Sequence, residues 1–336
     1  MVFETRASFR APLSSRGKKP GAGSRHFFRV PALLCCLALM LSACGETARQ
    51  SETEPYVVGV VTKSGSSEYW MTLRRGMETA AAQLGMELIV LSPDSEARED
   101  VQNKMVEALI KRDVDAIAVS PINSYCRPDY FDLAEERNIP IVSYDTGFGG
   151  PDVPYIGIDN HQAGYALAEH LADALGHKGE VGIVSGSLDQ QSHRQRMEGF
   201  VDFIETQPEM KVVFIESGYS NLQMSEVKIR GIRAAYPSID GIAATSAVTA
   251  LGIAEGLEDD PVKIVSIDVQ KDAAEALQDG RITALIAQSG YEIGFRTIRY
   301  IDGLRRGTAE GAGEILDAEV LTGENVEAYM EREYQE

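Results

Sequence analysis

Short β-branched runs alternate with stretches of helical period along most of the chain, and the alternation runs through twice. Val57-Val58-Gly59-Val60-Val61, Leu88-Ile89-Val90-Leu91, Ala116-Ile117-Ala118-Val119 and Ile141-Val142-Ser143-Tyr144 read as strands buried on both faces. Between the first two, Trp70, Leu73, Met77, Ala80, Ala81 and Leu84 share one helical face; Val101, Met105, Ala108 and Leu109 form the next. Ser67 can cap the first of these helices, and Glu68 places a negative charge in its first turn. The pattern restarts with strands at 181–184, 212–215, 241–244, 264–267 and 282–286, and helices near 160–175, 191–206, 222–235, 246–257, 271–279 and 290–306. Strands of this kind joined by helices imply parallel sheets built from right-handed βαβ units. Two successive runs predict two similar α/β lobes, with the change of lobe near 155–160. The tail after Gly307 is mixed and holds one more strand candidate, 318–321.

Open α/β sheets bind ligands at the carboxyl ends of their strands. Lys63 to Trp70 follow the first strand, and Asp145-Thr146-Gly147 follow the fourth. Ser246, Asp268 and Gln288 hold the corresponding places in the second run. Two such edges facing each other would form a cleft at a domain boundary, a usual place for a small-molecule site.

The amino terminus says where the protein works. A basic segment with Arg6, Arg10, Arg16, Lys18, Lys19, Arg25 and Arg29 precedes an apolar run at 30–40, and Leu41-Ser42-Ala43-Cys44 follows. The run is too short for a spanning helix, which needs about 20 residues. Small residues before a cysteine at the end of such a run are the signature of a lipoprotein signal: 1–43 would be removed and Cys44 acylated. Residues 44–55 are polar and aperiodic and read as a flexible tether.

Removing 1–43 sharpens the charge. The chain carries 32 basic and 51 acidic residues, of which 1–43 hold 7 and 1, leaving 25 against 50 and a formal charge of −25. That field is the opposite of what nucleic acid requires. Of the four cysteines, 35 and 36 leave with the signal and Cys44 would carry lipid. Only Cys126 remains, so no intramolecular disulfide is expected, and Cys126 reads as a semi-buried loop residue.

Motifs for common catalytic and cofactor chemistry are missing. The chain has no G-x-G-x-x-G, P-loop, G-x-S-x-G or H-E-x-x-H, and no cofactor or metal is implied. His161, His170, His177 and His193 are scattered and are expected at the surface. The acidic runs at 96–100 and 258–260 lack EF-hand spacing and read as solvated faces.

From about 56 to 305 the chain resembles the ribose-type periplasmic sugar-binding proteins, the solute receptors of ABC importers. The resemblance rests on the order and spacing of several pieces. These are Val60-Val61-Thr62-Lys63 with Ser67-Glu68-Tyr69-Trp70, Ile156-Gly157-Ile158-Asp159-Asn160 with Ala163-Gly164, Arg196-Met197-Glu198-Gly199-Phe200, Ile264-Val265-Ser266-Ile267-Asp268 and Leu285-Ile286-Ala287-Gln288. It implies two Rossmann-like lobes with parallel sheets flanked by helices, joined by a hinge (periplasmic-binding-protein-like I). One lobe would take 56–158 plus about 289–317, the other 159–288 plus about 318–336. It also implies ligand-binding roles. Tyr69-Trp70 resembles the aromatic pair that sandwiches the sugar ring. Asp145 matches the acidic residue after the fourth strand, Arg196 the arginine before Gly-Phe, and Asp268 and Gln288 the aspartate and glutamine of the second lobe and hinge. Lys63 and Ser246 complete the candidate set. Thr146 stands where the family has arginine, Ser246 replaces an asparagine, and a cleft aromatic falls on Tyr219 or Ser220. These departures point away from ribose itself.

The residue types suit a sugar on their own chemistry. Aromatics cover apolar C–H faces, while Asp and Arg make charge-assisted hydrogen bonds to vicinal hydroxyls. The expectation is a monomeric, non-enzymatic lipoprotein, held at the cell membrane by Cys44, that delivers a monosaccharide or polyol to an ABC permease. A receptor presenting a sugar or autoinducer to a sensor kinase or chemoreceptor stands as the alternative.

Overall fold

Each β-branched run lies in a sheet covered by helices on both faces, as strands without an exposed side require. The computed structural model describes residues 55–334 apart from 66, 259 and 310. The expected signal, the lipidation residue Cys44 and all of the tether except Pro55 lie outside the described residues. The first run gives β1 (Tyr56–Val61), α1 (Glu68–Leu84), β2 (Met86–Leu91), α2 (Glu99–Lys111), β3 (Ala116–Val119), α3 (Tyr130–Glu136), β4 (Ile141–Tyr144) and β5 (Tyr155–Ile158). The second gives α4 (Asn160–Leu175), β6 (Gly179–Ser185), α5 (Gln191–Glu205), β7 (Met210–Ser217), α6 (Leu222–Ala235), β8 (Ile239–Ala244), α7 (Ala247–Gly256), β9 (Lys263–Ile267), α8 (Lys271–Gln278) and β10 (Ala284–Ala287). The chain then adds α9 (Gly290–Arg306), β11 (Gly313–Leu316), β12 (Glu319–Leu321) and α10 (Val326–Glu333).

Sheet one runs β11-β5-β4-β3-β1-β2 and is parallel throughout. Sheet two runs β12-β10-β9-β8-β6-β7 and is parallel except for the antiparallel β10–β12 pair. The two orders are the same, strand for strand, so the strand sequence reverses between β1 and β3 in one sheet and between β6 and β8 in the other. Val58, Val60, Leu73, Met77, Ile293 and Ile298 fill one side of sheet one, and Leu109, Ile110, Ile117 and Tyr130 the other. Sheet two is sandwiched likewise by Leu167, Leu171, Ile183 and Phe200, and by Ile229, Ile242, Ile253 and Leu285.

Four elements have no counterpart in the sequence pattern: β5, β11, α3 and α10. The helix α3 has only seven residues, too few for a period to declare itself, and β11, Gly-Glu-Ile-Leu, holds a single β-branched residue. The first helix starts as its sequence predicts, with the Ser67 side chain accepting the Trp70 N–H.

Two helix pairs set the positions of the functional edges. In α1 and α9, a Cβ on Gly76 would collide with the Tyr291 carbonyl oxygen, and one on Gly294 with that of Leu73. In α4 and α5, a Cβ on Gly164 would collide with the Arg196 carbonyl oxygen, and one on Gly199 with that of His161. Both crossings therefore bring backbone against backbone, which only glycine allows. Gly199→Ala should destabilise by about 1–3 kcal/mol through overpacking and lower the melting temperature by several degrees. Gly231→Ala, on α6 with open space at its Cβ, should instead be neutral or stabilise by about 1 kcal/mol through helix propensity. Thermal melts of both variants check the contrast; equal effects would remove the close-contact argument.

Candidate functional site

The strands β4 and β9 and the residue after each read Ile141-Val142-Ser143-Tyr144-Asp145 and Ile264-Val265-Ser266-Ile267-Asp268, the same pattern but for one position. Both aspartates lie in the left-handed region, at φ 60° and 71°, a conformation that costs energy in any residue with a Cβ. Each is held there by its own N–H: Asp145 donates to the Ile156 carbonyl and Asp268 to that of Ile286, both at 2.9 Å. Both line one cavity of about 1110 Å³ between the sheets.

The carboxylate of Asp145 has four side-chain partners. Its Oδ1 accepts from the Tyr69 hydroxyl at 2.7 Å. Its Oδ2 accepts from Ser120 Oγ and Thr146 Oγ1 at 3.0 Å each and pairs with Lys63 Nζ at 3.0 Å. Burial would raise its pKa, but the Lys63 and Arg196 charges outweigh that and hold it at about 2. The same burial pushes the Tyr69 hydroxyl well above the ordinary tyrosine value, and the nearby aspartates add to the shift.

Asp268 is served less well. Gln288 Nε2 donates to its Oδ1 at 2.6 Å, and Arg196 Nη1 stands 3.6 Å from its Oδ2. Burial raises its pKa, Arg196 offsets this in part, and the Asp145 charge adds to the rise. Arg196, 2% exposed, gives Nε to Asn160 Oδ1 at 2.8 Å and Nη1 to the Thr245 carbonyl at 2.9 Å. Its Nη2 is buried with no hydrogen-bond partner, as is Gln288 Oε1. Unsatisfied buried groups are costly, and Arg196 lines the cavity. Asn160 Nδ2 in turn donates to the Tyr155 hydroxyl at 3.1 Å, which reaches the Asp145 carbonyl at 3.1 Å. Arg196 and Asp145 are thus connected through the chain crossing at β5 and α4.

Seven of the eight sequence candidates line this cavity: Lys63, Tyr69, Trp70, Asp145, Arg196, Ser246 and Asp268. The eighth, Gln288, lies behind Asp268 and orients it. Lys63 also has protein partners of its own. Its Nζ is engaged by Asp145, Thr146 Oγ1 at 2.9 Å and Gln190 Oε1 at 2.7 Å. Thr146 thus helps hold this ammonium, and the last of its bonds crosses to the residue that precedes α5 in the other lobe. Tyr69 and Trp70 meet edge to face, centroids 5.4 Å apart and planes at 74°. They form a corner rather than two parallel plates, and Trp70, 5% exposed, also packs in the core of sheet one. Ser246 is buried, with its Oγ 3.0 Å from Thr249 Oγ1.

Two expectations are corrected. His193 is 4% exposed, lines the cavity, and bonds Thr245 Oγ1 through Nδ1 at 2.8 Å. Burial, with Arg196 and Lys63 nearby, pushes its pKa well below the ordinary histidine value. Its position three residues before Arg196 on α5 was the available signal, since i and i+3 share a helix face. Cys126 is exposed rather than semi-buried.

The cavity wall also carries Glu68, Asp94, Glu96, Glu99, Asp189 and Asp272, so its outer part is negative. Glu68 reaches across the cleft: its Oε2 accepts the Lys271 N–H at 2.8 Å at the start of α8. Asp268 does not cap that helix, whose first N–H is served from the opposite lobe.

Residues 58–309 match the family described as periplasmic binding protein domain. The chain is 26% identical over 302 residues to the xylitol-binding protein of Mycolicibacterium smegmatis, covering 88% of this chain and 85% of that protein. It is 26% identical over 278 residues to the D-ribose/D-allose-binding protein of Pseudomonas aeruginosa, covering 77% and 87%. A periplasmic solute-binding protein of an ABC transporter from Actinobacillus succinogenes, solved with bound D-allose, superposes with a TM-score of 0.76 at 27% identity, covering 82% of this chain and all of that one.

The two aspartates should respond oppositely to pH and unequally to neutralisation. The Asp145 pKa is depressed, so its stabilisation is present above the unfolded carboxylate pKa and is lost as pH falls toward 2. The Asp268 pKa is raised, so its contribution is largest below the unfolded value and declines as pH rises through the folded one. At pH 7, Asp145→Asn should cost about 3–5 kcal/mol, because it strands a buried lysine. Asp268→Asn should cost much less, since Arg196 stands 3.6 Å away and keeps its bonds to Asn160 and the Thr245 carbonyl. Denaturant melts of the two variants check the order; a loss in Asp268→Asn as large as that in Asp145→Asn would contradict it.

Proposed function

The chain belongs to the ribose-type periplasmic sugar-binding family, and on that premise we propose that it is an extracytoplasmic solute receptor for a neutral monosaccharide or polyol. One observation carries this reading: Arg196, buried and with one nitrogen unpartnered, faces the same cavity as two strand-end aspartates and the Tyr69–Trp70 corner. A ring of hydroxyls offers the acceptor that Nη2 needs and the donors that Asp268 needs, and the aromatic corner suits the C–H face of a sugar. The acidic outer wall favours uncharged ligands over uronates and sugar phosphates. The buried groups act by holding, and the reading assigns no chemical conversion to them.

The relatives' descriptions as xylitol-binding and D-ribose/D-allose-binding proteins, and that of the D-allose complex, support this solute class. On the same reading the bound solute passes to an ABC permease. The lipoprotein signature at Leu41–Cys44 supports a receptor tethered near that permease through a polar leader.

A panel of pentoses, hexoses and polyols read by melting temperature tests the proposal. A ligand at about 100 times its Kd adds roughly 2.7 kcal/mol, a shift of several degrees. The chain has one tryptophan, Trp70, so its fluorescence gives a second readout at the cavity. Arg196→Met should weaken the best ligand by about tenfold or more, and uronates should leave the melt unmoved. If no neutral sugar or polyol shifts either signal, the reading falls. Cys44→Ser should move the protein from the membrane fraction to the soluble one on cell fractionation; retention in the membrane would exclude the anchor.

A further inference from the structure

The charged inner end of the cavity suits one hydroxylated ring, but the cavity continues beyond it with a different chemistry. Burial divides the two parts. Lys63, Asp145 and Arg196 are 2–4% exposed, whereas Met71, Tyr219 and Met224, lining the same cavity, are 56%, 59% and 43% exposed. Leu222, Val248 and Leu251 belong to the same wall. Met71 comes from α1 of the first lobe and the others from the second, so an apolar surface converges on one concavity from both sides. Large exposed apolar side chains scattered singly need no explanation, but their convergence on a ligand cavity does.

Two further observations point the same way. The lobes already touch on both flanks of the cleft, through Lys63 and Gln190 at 2.7 Å and through Glu68 and the Lys271 N–H at 2.8 Å. About 1110 Å³ still remains between them, above the roughly 300–1,000 Å³ typical of pockets for drug-sized ligands. A single sugar ring is smaller than those ligands. The backbone that presents Tyr219 is also strained. Tyr219 and Ser220 are consecutive left-handed residues, at φ 53° and 50°, and neither is glycine. The turn is held by the Tyr219 N–H on Ser217 Oγ at 3.2 Å, the Asn221 N–H on the Gly218 carbonyl at 3.0 Å, and Ser220 Oγ 3.3 Å from His193 Nε2. A strained turn that sets an aromatic ring at a cavity mouth, with an acidic rim around it, fits an uncharged apolar substituent.

We propose that the preferred solute is a glycoside: its sugar ring occupies the charged inner end, and an alkyl or aryl aglycone lies against Met71, Tyr219 and Met224. This rests on the sugar-receptor reading and narrows its ligand class. Calorimetric titration of matched sets tests it, with free D-glucose, D-galactose, D-allose, D-xylose and D-arabinose each set beside its methyl and phenyl glycoside. For at least one sugar the phenyl glycoside should bind about tenfold tighter than the free sugar, the effect expected from partly burying one aromatic ring, with the methyl glycoside between them. Met71→Gln with Met224→Gln, both exposed and therefore safe for folding, should remove most of that gain and leave any free-sugar affinity within about twofold. Free sugars that bind while every phenyl glycoside binds no better would overturn the inference and leave the receptor reading standing. So would a gain that survives the double substitution. Silence from every sugar and every glycoside would instead bring down the receptor reading and this inference with it.

Discussion

Two buried ion pairs that line the cleft, Lys63 with Asp145 in the first lobe and Arg196 with Asp268 in the second, are the constraint on which the rest of this structure depends. Removing charges from water costs several kcal/mol each, and only dense, well-aligned partners offset it. The fold supplies those partners from distant points in the chain: Ser120, Thr146 and Tyr69 for Asp145, Gln288 for Asp268, Asn160 and the Thr245 carbonyl for Arg196. The glycine-mediated helix crossings belong to the same arrangement, since one fixes the helix that carries Tyr69 and Trp70 and the other the helix that carries Arg196.

The two lobes repeat one plan and finish it differently. Strand order, the pattern ending in aspartate and the left-handed turn recur in both sheets. Asp145 has four side-chain partners on its carboxylate, and its pKa falls; Asp268 has two, and its pKa rises. The second lobe therefore holds a buried deficit beside the unpartnered Arg196 Nη2. Local deficits inside an otherwise consistent fold are expected where a ligand makes up the difference. Cross-lobe bonds from Lys63 to Gln190 and from Glu68 to the start of α8 place that deficit between two surfaces already in contact.

Much of this was legible in the chain. The double run of buried strands and amphipathic helices predicted two α/β lobes, because burial on both faces writes continuous apolar runs into strands. Asp145 and Asp268 stood out as charged residues at strand ends and Arg196 through the family resemblance, and all three line the cavity. What stayed hidden depended on contacts that spacing does not encode. Lys63 reads as a strand-end lysine; that its ammonium would meet Asp145, Thr146 and Gln190 together is a tertiary fact. Gln288 and Asp268 both end strands, and only the packing decides which one faces the ligand. His193 looked like one of several scattered polar residues, although its i,i+3 relation to Arg196 was readable. The strand β11 holds a single β-branched residue and finds its place only by pairing with β5.

The central claim is that a bound sugar supplies what Asp268 lacks, and the most direct measurement is a carbon-13 NMR titration of the side-chain carboxyls of Asp145 and Asp268, with and without a sugar that binds. The account predicts that Asp145 titrates near 2 in both states. It predicts that Asp268 titrates above the ordinary carboxylate value in the free protein and moves down when sugar hydroxyls donate to it. An Asp268 that titrates at or below the ordinary value when free, or that the sugar leaves unmoved, would contradict the account.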